Sequence, residues 1–322
     1  LMEDSGYMAR AAFIMDKIMH KMGLHGKSFI PLIMGFGCNV PAVMSSRIIE
    51  SRSSRLITML IIPFMSCSAR LPIYLLLVGT FFPGNGSLVI FALYVLSIFV
   101  AIITAKLLRK TAFKKDETPF VMELPPYRVP TMKASLHHMW EKGEQYLRKM
   151  GGVILVGSII IWALSYFPRD FSKSNDDMTT EELVEQQQGS YLASIGRFFE
   201  PVVEPLGFNW KGSVALISGA TAKEIVVSTL GVLYSGDSDA TESLSQRIAE
   251  VNPETGQPDF TPLVALSFMV FVLLYFPCIA TVVAISREAG GWKYGMFTVL
   301  YNTAVAWLVS FLVYQVGSLF VG

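Results

Sequence analysis

Gly35-Phe36-Gly37-Cys38-Asn39-Val40-Pro41 is the stretch around which the rest of the chain is organised, and it follows the apolar run 29–34. The two glycines and the proline predict a broken helix. Such a break leaves backbone N–H and C=O groups without partners, which a membrane tolerates only where the break is buried in protein or lines a polar cavity. We therefore expect Cys38, Asn39 and free carbonyl oxygens to converge there.

The composition of the chain indicates a membrane protein. Of its 322 residues, 52% are hydrophobic and 16% are charged, whereas a soluble domain carries about 25% charged residues. Several apolar stretches are long enough to span a bilayer, so we predict an all-α polytopic membrane protein. The net charge of +1 gives no indication of a nucleic-acid partner. The start of the chain has no signal-peptide pattern, and we expect the chain to be part of something longer.

The distribution of charge between the loops predicts four regions and a topology. The regions are a first interrupted unit with a following span (1–108), a cytoplasmic loop with an amphipathic helix (109–150), a span and an external loop (151–210), and a second interrupted unit with the final span (211–322). The segment 109–150 has nine basic and five acidic residues, which places it in the cytoplasm. Segments 168–211 and 235–262 are mainly acidic, so we expect both outside.

An internal repeat relates the two interrupted units. At one constant spacing, Lys27, Leu32, Ile33 and Gly35 match Lys211, Leu216, Ile217 and Gly219, and at a larger spacing Cys67 and Ala69 match Cys278 and Ala280. The first broken segment has basic flanks and the second has mostly acidic flanks. If each segment enters and leaves the membrane on one side, the units are inverted repeats whose breaks meet near the midplane. We therefore expect Cys38 and Glu224 to share one cavity.

The three cysteines lie beside interruptions marked by proline. Cys38 precedes Pro41, Cys67 lies between two prolines, and Cys278 follows Pro277 directly. Each could be an ordinary small buried residue. A thiolate beside amide, hydroxyl and backbone oxygens, however, suits a divalent transition metal better than sodium or magnesium. The sequence therefore indicates a metal path through the breaks.

Charged side chains at membrane depth are costly and are usually functional. The predicted metal ligands are Cys38, Cys67, Cys278, Glu224, Asn39 and Ser66. The residues expected to gate the path or shape the breaks are Gly35, Gly37, Pro41, Arg70, Pro277 and Lys223. For Arg70 and Lys223 we favour mutual neutralisation that holds the interrupted segments in shape. Glu3 and Asp4 either form an acidic entrance for the metal or begin a solvated helix.

Several motifs resemble the membrane domain of the bacterial ferrous iron transport protein B family. They are segments 3–10, 35–41, 64–71, 118–125, 222–227 and 277–280. The resemblance implies two gate units like those of nucleoside transporters, and Fe²⁺ transport across a bacterial inner membrane along a path lined by the three cysteines. It also implies an N-terminal GTP-binding domain outside this sequence, through which GTP and Mg²⁺ would act. Small cytoplasmic accessory proteins and a homo-oligomer are further candidate partners.

Two other functions remain open from the residues. A gate-type transporter of a nucleoside or another small solute would call for more amide and aromatic groups at the breaks. A membrane-embedded thiol redox enzyme would need paired or low-pKa cysteines, and the sequence has no C-x-x-C. We therefore expect a transporter rather than an enzyme, with any GTP hydrolysis in the N-terminal domain.

Overall fold

The computed structural model describes residues 6–111, 131–168, 188–235, 244–245, 247–248 and 258–321. The α-helices are α1 (Tyr7–Lys21), α2 (Phe29–Gly37), α3 (Asn39–Ser45), α4 (Arg52–Ile61), α5 (Leu71–Phe81), α6 (Gly86–Thr111), α7 (Met132–Tyr166), α8 (Tyr191–Val203), α9 (Trp210–Ser218), α10 (Ile225–Ser235), α11 (Pro262–Leu274), α12 (Ile279–Ala289) and α13 (Trp292–Val321). Short 3-10 helices occur at Gly26–Ser28, Ser46–Ile48, Ile62–Phe64, Ser68–Arg70 and Glu204–Leu206. The predicted all-α class is confirmed.

Four stretches of the described chain are long and apolar enough to cross a membrane. They are Arg52–Phe81, Gly86–Thr111, Pro262–Ala289 and Trp292–Leu319. Ser135–Arg148 and Gly151–Tyr166 pass the same criteria as a bent pair. Both segments of that pair belong to α7, which is bent by 41° between them. The sequence predicted an amphipathic helix up to residue 150 and a span after it. Length and composition thus confirm a polytopic membrane protein.

The chain forms two compact units, each assembled from separate stretches. Unit 1 comprises Leu1–Ser68, Val95–Val153 and Ala280–Val299, and unit 2 comprises Ala69–Tyr94, Ile154–Ile279 and Leu300–Gly322. Unit 1 therefore contains α1 to α4 and nearly all of α12, and unit 2 contains α5 and α8 to α11. The division of the chain into four consecutive regions stays a prediction.

Capping residues mark corresponding helix starts in the two units. In unit 1, the Ser51 hydroxyl accepts a hydrogen bond from the Ser54 amide at the start of α4. In unit 2, the Thr261 hydroxyl accepts one from the Val264 amide, at 3.2 Å, at the start of α11. These side chains satisfy amide groups that have no partner within the helix. Because α4 and α11 are the helices that run into the Cys67 and Cys278 interruptions, the caps fix corresponding parts of the predicted repeat.

A second pair of caps precedes the other broken segment of each unit. Asn209 Oδ1 accepts a hydrogen bond of 3.0 Å from the Gly212 amide at the start of α9. His25, which is separated from Asn209 by the same spacing that separates Lys27 from Lys211, accepts a bond from the Lys27 amide through Nδ1 at 3.3 Å. Burial lowers the pKa of His25, which favours the neutral ring whose Nδ1 can accept this bond.

The two matched lysines each pair with an acid that lies just before an interrupted helix. Lys27 Nζ lies 2.6 Å from Glu50 Oε1, two residues before α4 begins. Lys211 Nζ lies 3.3 Å from Asp259 Oδ2, three residues before α11 begins. The Tyr234 hydroxyl also donates to Asp259 Oδ2, at 2.9 Å. Each ion pair therefore ties the start of one broken segment to the start of the interrupted helix that follows it within the same unit.

Helix α11 lies at the centre of unit 2. Almost every residue from Val264 to Leu274 is buried, so a polar side chain within it needs a partner inside the protein. Ser267 has such partners, because its hydroxyl oxygen lies 2.8 Å from Ser310 Oγ in α13 and also donates to the Leu206 carbonyl oxygen at 3.1 Å.

Helix α8 lies in segment 151–210, for which the sequence predicted a span and an external loop without a helix of this kind. The Ser190 hydroxyl caps α8 by accepting a bond of 3.1 Å from the Ala193 amide. The helix packs closely on α9 at Gly196, where an added Cβ would lie 3.0 Å from the Trp210 carbonyl oxygen. The net negative charge of the segment indicated exposure, but it did not exclude a helix with one apolar face.

Candidate functional site

The helix predicted to break within 35–41 breaks at Cys38, and we call this position the Cys38 break. Cys38 has extended backbone angles (φ −148°, ψ 131°) between α2 and α3. Its amide still donates to the Met34 carbonyl oxygen at 3.1 Å, and its side chain is exposed. Pro41 lies in the first turn of α3, where the missing N–H would have no intrahelical acceptor. The proline is therefore compatible with the start of α3.

Within unit 1 a second interruption, Met65–Cys67, lies against the Cys38 break, and we call it the Cys67 break. The Ser68 hydroxyl donates a hydrogen bond of 2.9 Å to the Gly37 carbonyl oxygen at the end of α2. A Cβ added at Gly35 would lie 3.0 Å from Met65 Cβ, so a glycine there permits the close approach. On the side where a Cβ of Gly37 would point, the described residues leave open space.

Two predicted ligands in these breaks carry buried oxygen atoms that the described residues leave without a hydrogen bond. Asn39 is 5% exposed and Ser66 is 1% exposed. Neither Asn39 Oδ1 nor Ser66 Oγ has a hydrogen-bond partner among the residues that the structure describes. A buried polar atom left without a partner costs about 1–3 kcal/mol. Both are oxygen atoms that can bind a cation or a water molecule, and Cys67, next to Ser66, is also buried.

Unit 2 contains the corresponding Lys223 break, which is the stretch 219–224 between α9 and α10. The side chain of Lys223 is only 4% exposed. Its ammonium group donates to the Phe276 carbonyl oxygen at 2.9 Å and lies 3.0 Å from the centre of the Tyr275 ring. The neighbouring Glu224 is exposed. The predicted cation is therefore inside the protein, and the predicted anionic ligand is at the surface of the described structure.

The Cys278 break is the stretch 275–278 between α11 and α12, and it is bonded to the Lys223 break on both sides of the cysteine. On one side, Lys223 binds the Phe276 carbonyl oxygen. On the other, the Ile279 amide donates to the Ala220 carbonyl oxygen at 2.8 Å. Pro277 has no N–H to donate. The two breaks of unit 2 are thus held together around Cys278.

The structure brings the predicted residues together in two groups, each within one unit. The group in unit 1 contains Gly35, Gly37, Cys38, Asn39, Pro41, Ser66 and Cys67, and the group in unit 2 contains Lys223, Pro277 and Cys278. Arg70 is fully buried at the start of α5. The shared cavity of Cys38 and Glu224 would join residues of different units and stays a prediction, and Glu3 and Asp4 lie outside the described residues.

The predicted ligands do not form a preformed site of acidic, thiol or imidazole groups. In the described ranges, no group of three or more His, Cys, Asp or Glu side chains could hold a metal ion. Their roles as metal ligands stay a prediction. Sequence reasoning also missed Thr221, which is 3% exposed and whose hydroxyl oxygen has no partner among the described residues. Its place inside the interrupted stretch 219–224 was a signal, but only the charged residues of that stretch were considered.

Comparison with known proteins decides the family. A family model described as "Nucleoside recognition" (Gate) matches residues 1–81 and 147–292, and one described as "Ferrous iron transport protein B C terminus" matches residues 90–142. A Porphyromonas gingivalis protein named as a fusion of Fe(2+) transport protein A and Fe(2+) transporter FeoB is 56% identical, and the alignment covers 99% of this chain and 41% of that protein. The chain belongs to the ferrous iron transport protein B family.

Other members of the ferrous iron transport protein B family match over nearly the whole chain. The Fe(2+) transporter FeoB of Staphylococcus aureus (strain MSSA476) is 46% identical over 100% of this chain and 45% of its own length. The protein of the same name from Campylobacter jejuni is 43% identical over 97% of this chain and 50% of its own length. The chain therefore spans about half the length of these relatives. No solved structure matches it.

Proposed function

We propose that this chain is the membrane portion of a transporter that carries Fe²⁺ across the bacterial inner membrane. The names of the relatives support this proposal, because Fe(2+) transporters match over almost the whole chain. The observation that carries it is the presence of two buried oxygen atoms, Asn39 Oδ1 and Ser66 Oγ, which have no partner among the described residues and lie beside the thiols of Cys38 and Cys67. Thiol and oxygen donors together suit a borderline divalent metal.

Weak coordination at several points agrees with transport. A conducting site must attract an ion enough for it to enter and must still allow it to leave. Among the described residues, the acidic, thiol and imidazole groups form no cluster of three, and a tight structural metal site would use such a cluster. In the proposed mechanism Fe²⁺ loses part of its water shell at the Cys38 break. Asn39 Oδ1, Ser66 Oγ and the thiols then replace that water one contact at a time.

Energy coupling and accessory proteins belong to the same proposal. We expect a GTP-binding domain of the whole protein, with its Mg²⁺, to drive or gate the transport. The Porphyromonas relative is named as a fusion with Fe(2+) transport protein A, which supports a small cytoplasmic accessory protein as a partner of this chain. The remaining partners would be the lipid bilayer and, in a homo-oligomer, further copies of the chain.

Uptake by proteoliposomes tests the substrate. The purified protein is reconstituted under anaerobic, reducing conditions, and uptake of Fe²⁺, Mn²⁺, Zn²⁺ and uridine is compared. We include uridine because the Gate model is described as nucleoside recognition. We expect saturable Fe²⁺ uptake and no uridine uptake. Uridine uptake that Fe²⁺ does not inhibit would instead support the second candidate, a gate-type transporter of an organic solute.

A matched pair of serine variants tests the carrying observation. Ser66→Ala removes a buried hydroxyl that has no partner among the described residues, so we expect lower Fe²⁺ uptake per folded molecule at unchanged thermal stability. Ser46→Ala is the control, because Ser46 is equally buried in unit 1 but its hydroxyl donates to the Val43 carbonyl oxygen at 2.6 Å. Equal uptake by the two variants and the unmodified protein would remove Ser66 from the path.

A further inference from the structure

The ammonium group of Lys223 occupies a place where a cation is held by the protein itself. Its Nζ lies 2.9 Å from the Phe276 carbonyl oxygen, 3.0 Å from the centre of the Tyr275 ring and 5.5 Å from the centre of the Phe276 ring. Backbone carbonyl oxygens and aromatic faces are both partners for cations. With only 4% of the side chain exposed, this ammonium group is largely removed from water.

The carbonyl oxygen that Lys223 binds is one that the helix interruption sets free. Helix α11 ends at Leu274 and α12 begins at Ile279, so the carbonyl of Phe276, which lies between them, is outside the regular helices. In membrane proteins, carbonyl groups released in this way coordinate cations. Lys223 therefore occupies a position next to Cys278 where a metal ion could otherwise bind the Phe276 carbonyl oxygen.

The repeat places a different residue at the corresponding position of unit 1. The spacing that aligns Lys27 with Lys211 and Gly35 with Gly219 also aligns Asn39 with Lys223. In unit 1 this position carries a neutral amide whose Oδ1 has no partner among the described residues. The same position thus carries, in one unit, an oxygen acceptor to which no described residue donates and, in the other, a bound positive charge.

We propose that Lys223 is a specificity-determining residue whose ammonium group acts as a tethered cation and keeps divalent metal ions away from Cys278. A divalent ion at the Phe276 carbonyl would meet a positive charge at contact distance in a site that is shielded from water, where repulsion between charges is strong. Metal binding is therefore restricted to unit 1 while Lys223 is docked. The inference rests on the proposed function only for the identity of the metal that is transported.

The test measures protection of a single thiol by a metal. In a Cys38→Ser/Cys67→Ser background, Cys278 is the one remaining cysteine, and its alkylation by a maleimide is followed with increasing Cd²⁺ in detergent. Lys223→Gln removes the charge but keeps an amide that can donate to Phe276. Lys223→Arg keeps the charge and is the matched control. We expect the Cd²⁺ concentration that protects half of the thiol to be lower in Lys223→Gln than in the two charged forms by a factor of about ten or more. Groups around a metal ligand change metal affinity by a comparable factor.

A second measurement, of thermal unfolding, is used in case Cys278 reacts too slowly with the maleimide. Cd²⁺ should raise the thermal unfolding temperature of Lys223→Gln but not that of the parent with Lys223 or of the Lys223→Arg variant, and Cys278→Ser should abolish the shift. Lys223→Met is used in the same way if the Gln variant does not fold. Equal Cd²⁺ responses in charged and neutral variants, or no response in any of them, would overturn the proposal. Neither readout requires transport. A failure of Fe²⁺ uptake by the unmodified protein would therefore reject the proposed function, whereas the role of Lys223 would still be decided by the Cd²⁺ measurements.

Discussion

The Cys38 break and the Lys223 break lie at matching positions of the predicted repeat but differ in electrostatics. In unit 1 the break carries an exposed thiol and, at Asn39 and Ser66, oxygen atoms without partners among the described residues. In unit 2 the corresponding stretch carries a buried ammonium group that already binds a carbonyl oxygen. The difference teaches that the repeat determines where the helices are interrupted, whereas individual side chains determine which charge each interruption can accept.

The ion pairs next to the breaks show the same contrast in burial. In the Lys27–Glu50 pair of unit 1, the acid side chain is 78% exposed, whereas in the Lys211–Asp259 pair of unit 2 the acid is 9% exposed. The acid of the pair in unit 2 also accepts a hydrogen bond from a tyrosine hydroxyl. We therefore expect unit 2 to depend more strongly on its charges for stability.

The largest expected effect concerns the side of the membrane on which each loop lies. The opposite flanking charges of the two broken segments predict these sides, and a cysteine is either accessible to an impermeant reagent or protected from it. Single cysteines are introduced as Pro130→Cys, Asp176→Cys and Ala240→Cys, and intact spheroplasts are treated with an impermeant maleimide. We expect labelling at positions 176 and 240 and protection at position 130 until the cells are lysed. Labelling at 130 in intact cells would contradict the inverted arrangement of the two units.

Replacing each cysteine by serine distinguishes the breaks by their role in transport. We expect Cys38→Ser and Cys67→Ser each to lower Fe²⁺ uptake per folded molecule by about tenfold or more, since even groups around a metal ligand change affinity by about 10–100-fold. Cys278→Ser should cause a smaller loss, because Lys223 occupies the oxygen beside it. Uptake is divided by the monodisperse size-exclusion signal, so that loss of folding is not counted as loss of transport.

The outcome for the cysteines is informative in either direction. Equal losses in all three variants would mean that the metal reaches both units, which breaks the proposed contrast. Normal uptake in all three would show that the thiols are not needed for transport and would leave the oxygen atoms of Asn39 and Ser66 as the path.

The next effect concerns stability and compares the two ion pairs. Asp259→Asn removes the charge that faces the partly buried Lys211 and weakens the acceptor for Tyr234. We expect the free energy of unfolding to fall by about 2–3 kcal/mol, because a buried charge loses its partner. Glu50→Gln is the matched control, and its exposed position predicts little change. Thermal unfolding in detergent measures both, and equal losses would contradict the difference in burial.

The smallest effect tests the packing at the glycines of the two breaks. A Cβ at Gly219 would lie 2.5 Å from both Tyr275 Oη and Val226 Cγ2, and both of these residues are buried. Gly219→Ala should therefore destabilise the protein by about 1–2 kcal/mol through overpacking. Gly37→Ala, where an added Cβ meets open space, should leave the unfolding temperature unchanged or slightly raised. A loss of stability in Gly37→Ala equal to that in Gly219→Ala would show that the contacts at Gly219 are unimportant.

The positions of the breaks could be predicted from the sequence because they depend on local chemistry. Glycine and proline disfavour a continuous helix wherever they occur, so the interruptions near Cys38, Cys67, Lys223 and Cys278 were all visible. The residue at which the helix breaks could not be predicted, because Pro41 fits into the first turn of α3 and Cys38 is the residue with extended backbone angles.

Contacts between distant residues could not be predicted in this way. The bond from Ser68 to Gly37, and those from the Lys223 break to Phe276 and Ile279, join residues far apart in the chain. Charge alone also did not show which member of a charged pair would be buried, and it favoured Glu224 as a ligand although Lys223 is the buried residue. Helix α8 was missed because its segment was judged by net charge rather than by helical periodicity.

The ion pair between Arg47 and Glu288 has a consequence for how the protein is made. The guanidinium group of Arg47 binds both carboxylate oxygens of Glu288 within unit 1, although the two residues are 241 positions apart. At a synthesis rate of about 5–20 residues per second, α1 to α4 wait roughly 10–50 s for this partner to leave the ribosome. Unit 1 therefore stays incomplete throughout that interval, and a ribosome that stalls before residue 288 leaves α1 to α4 without this contact.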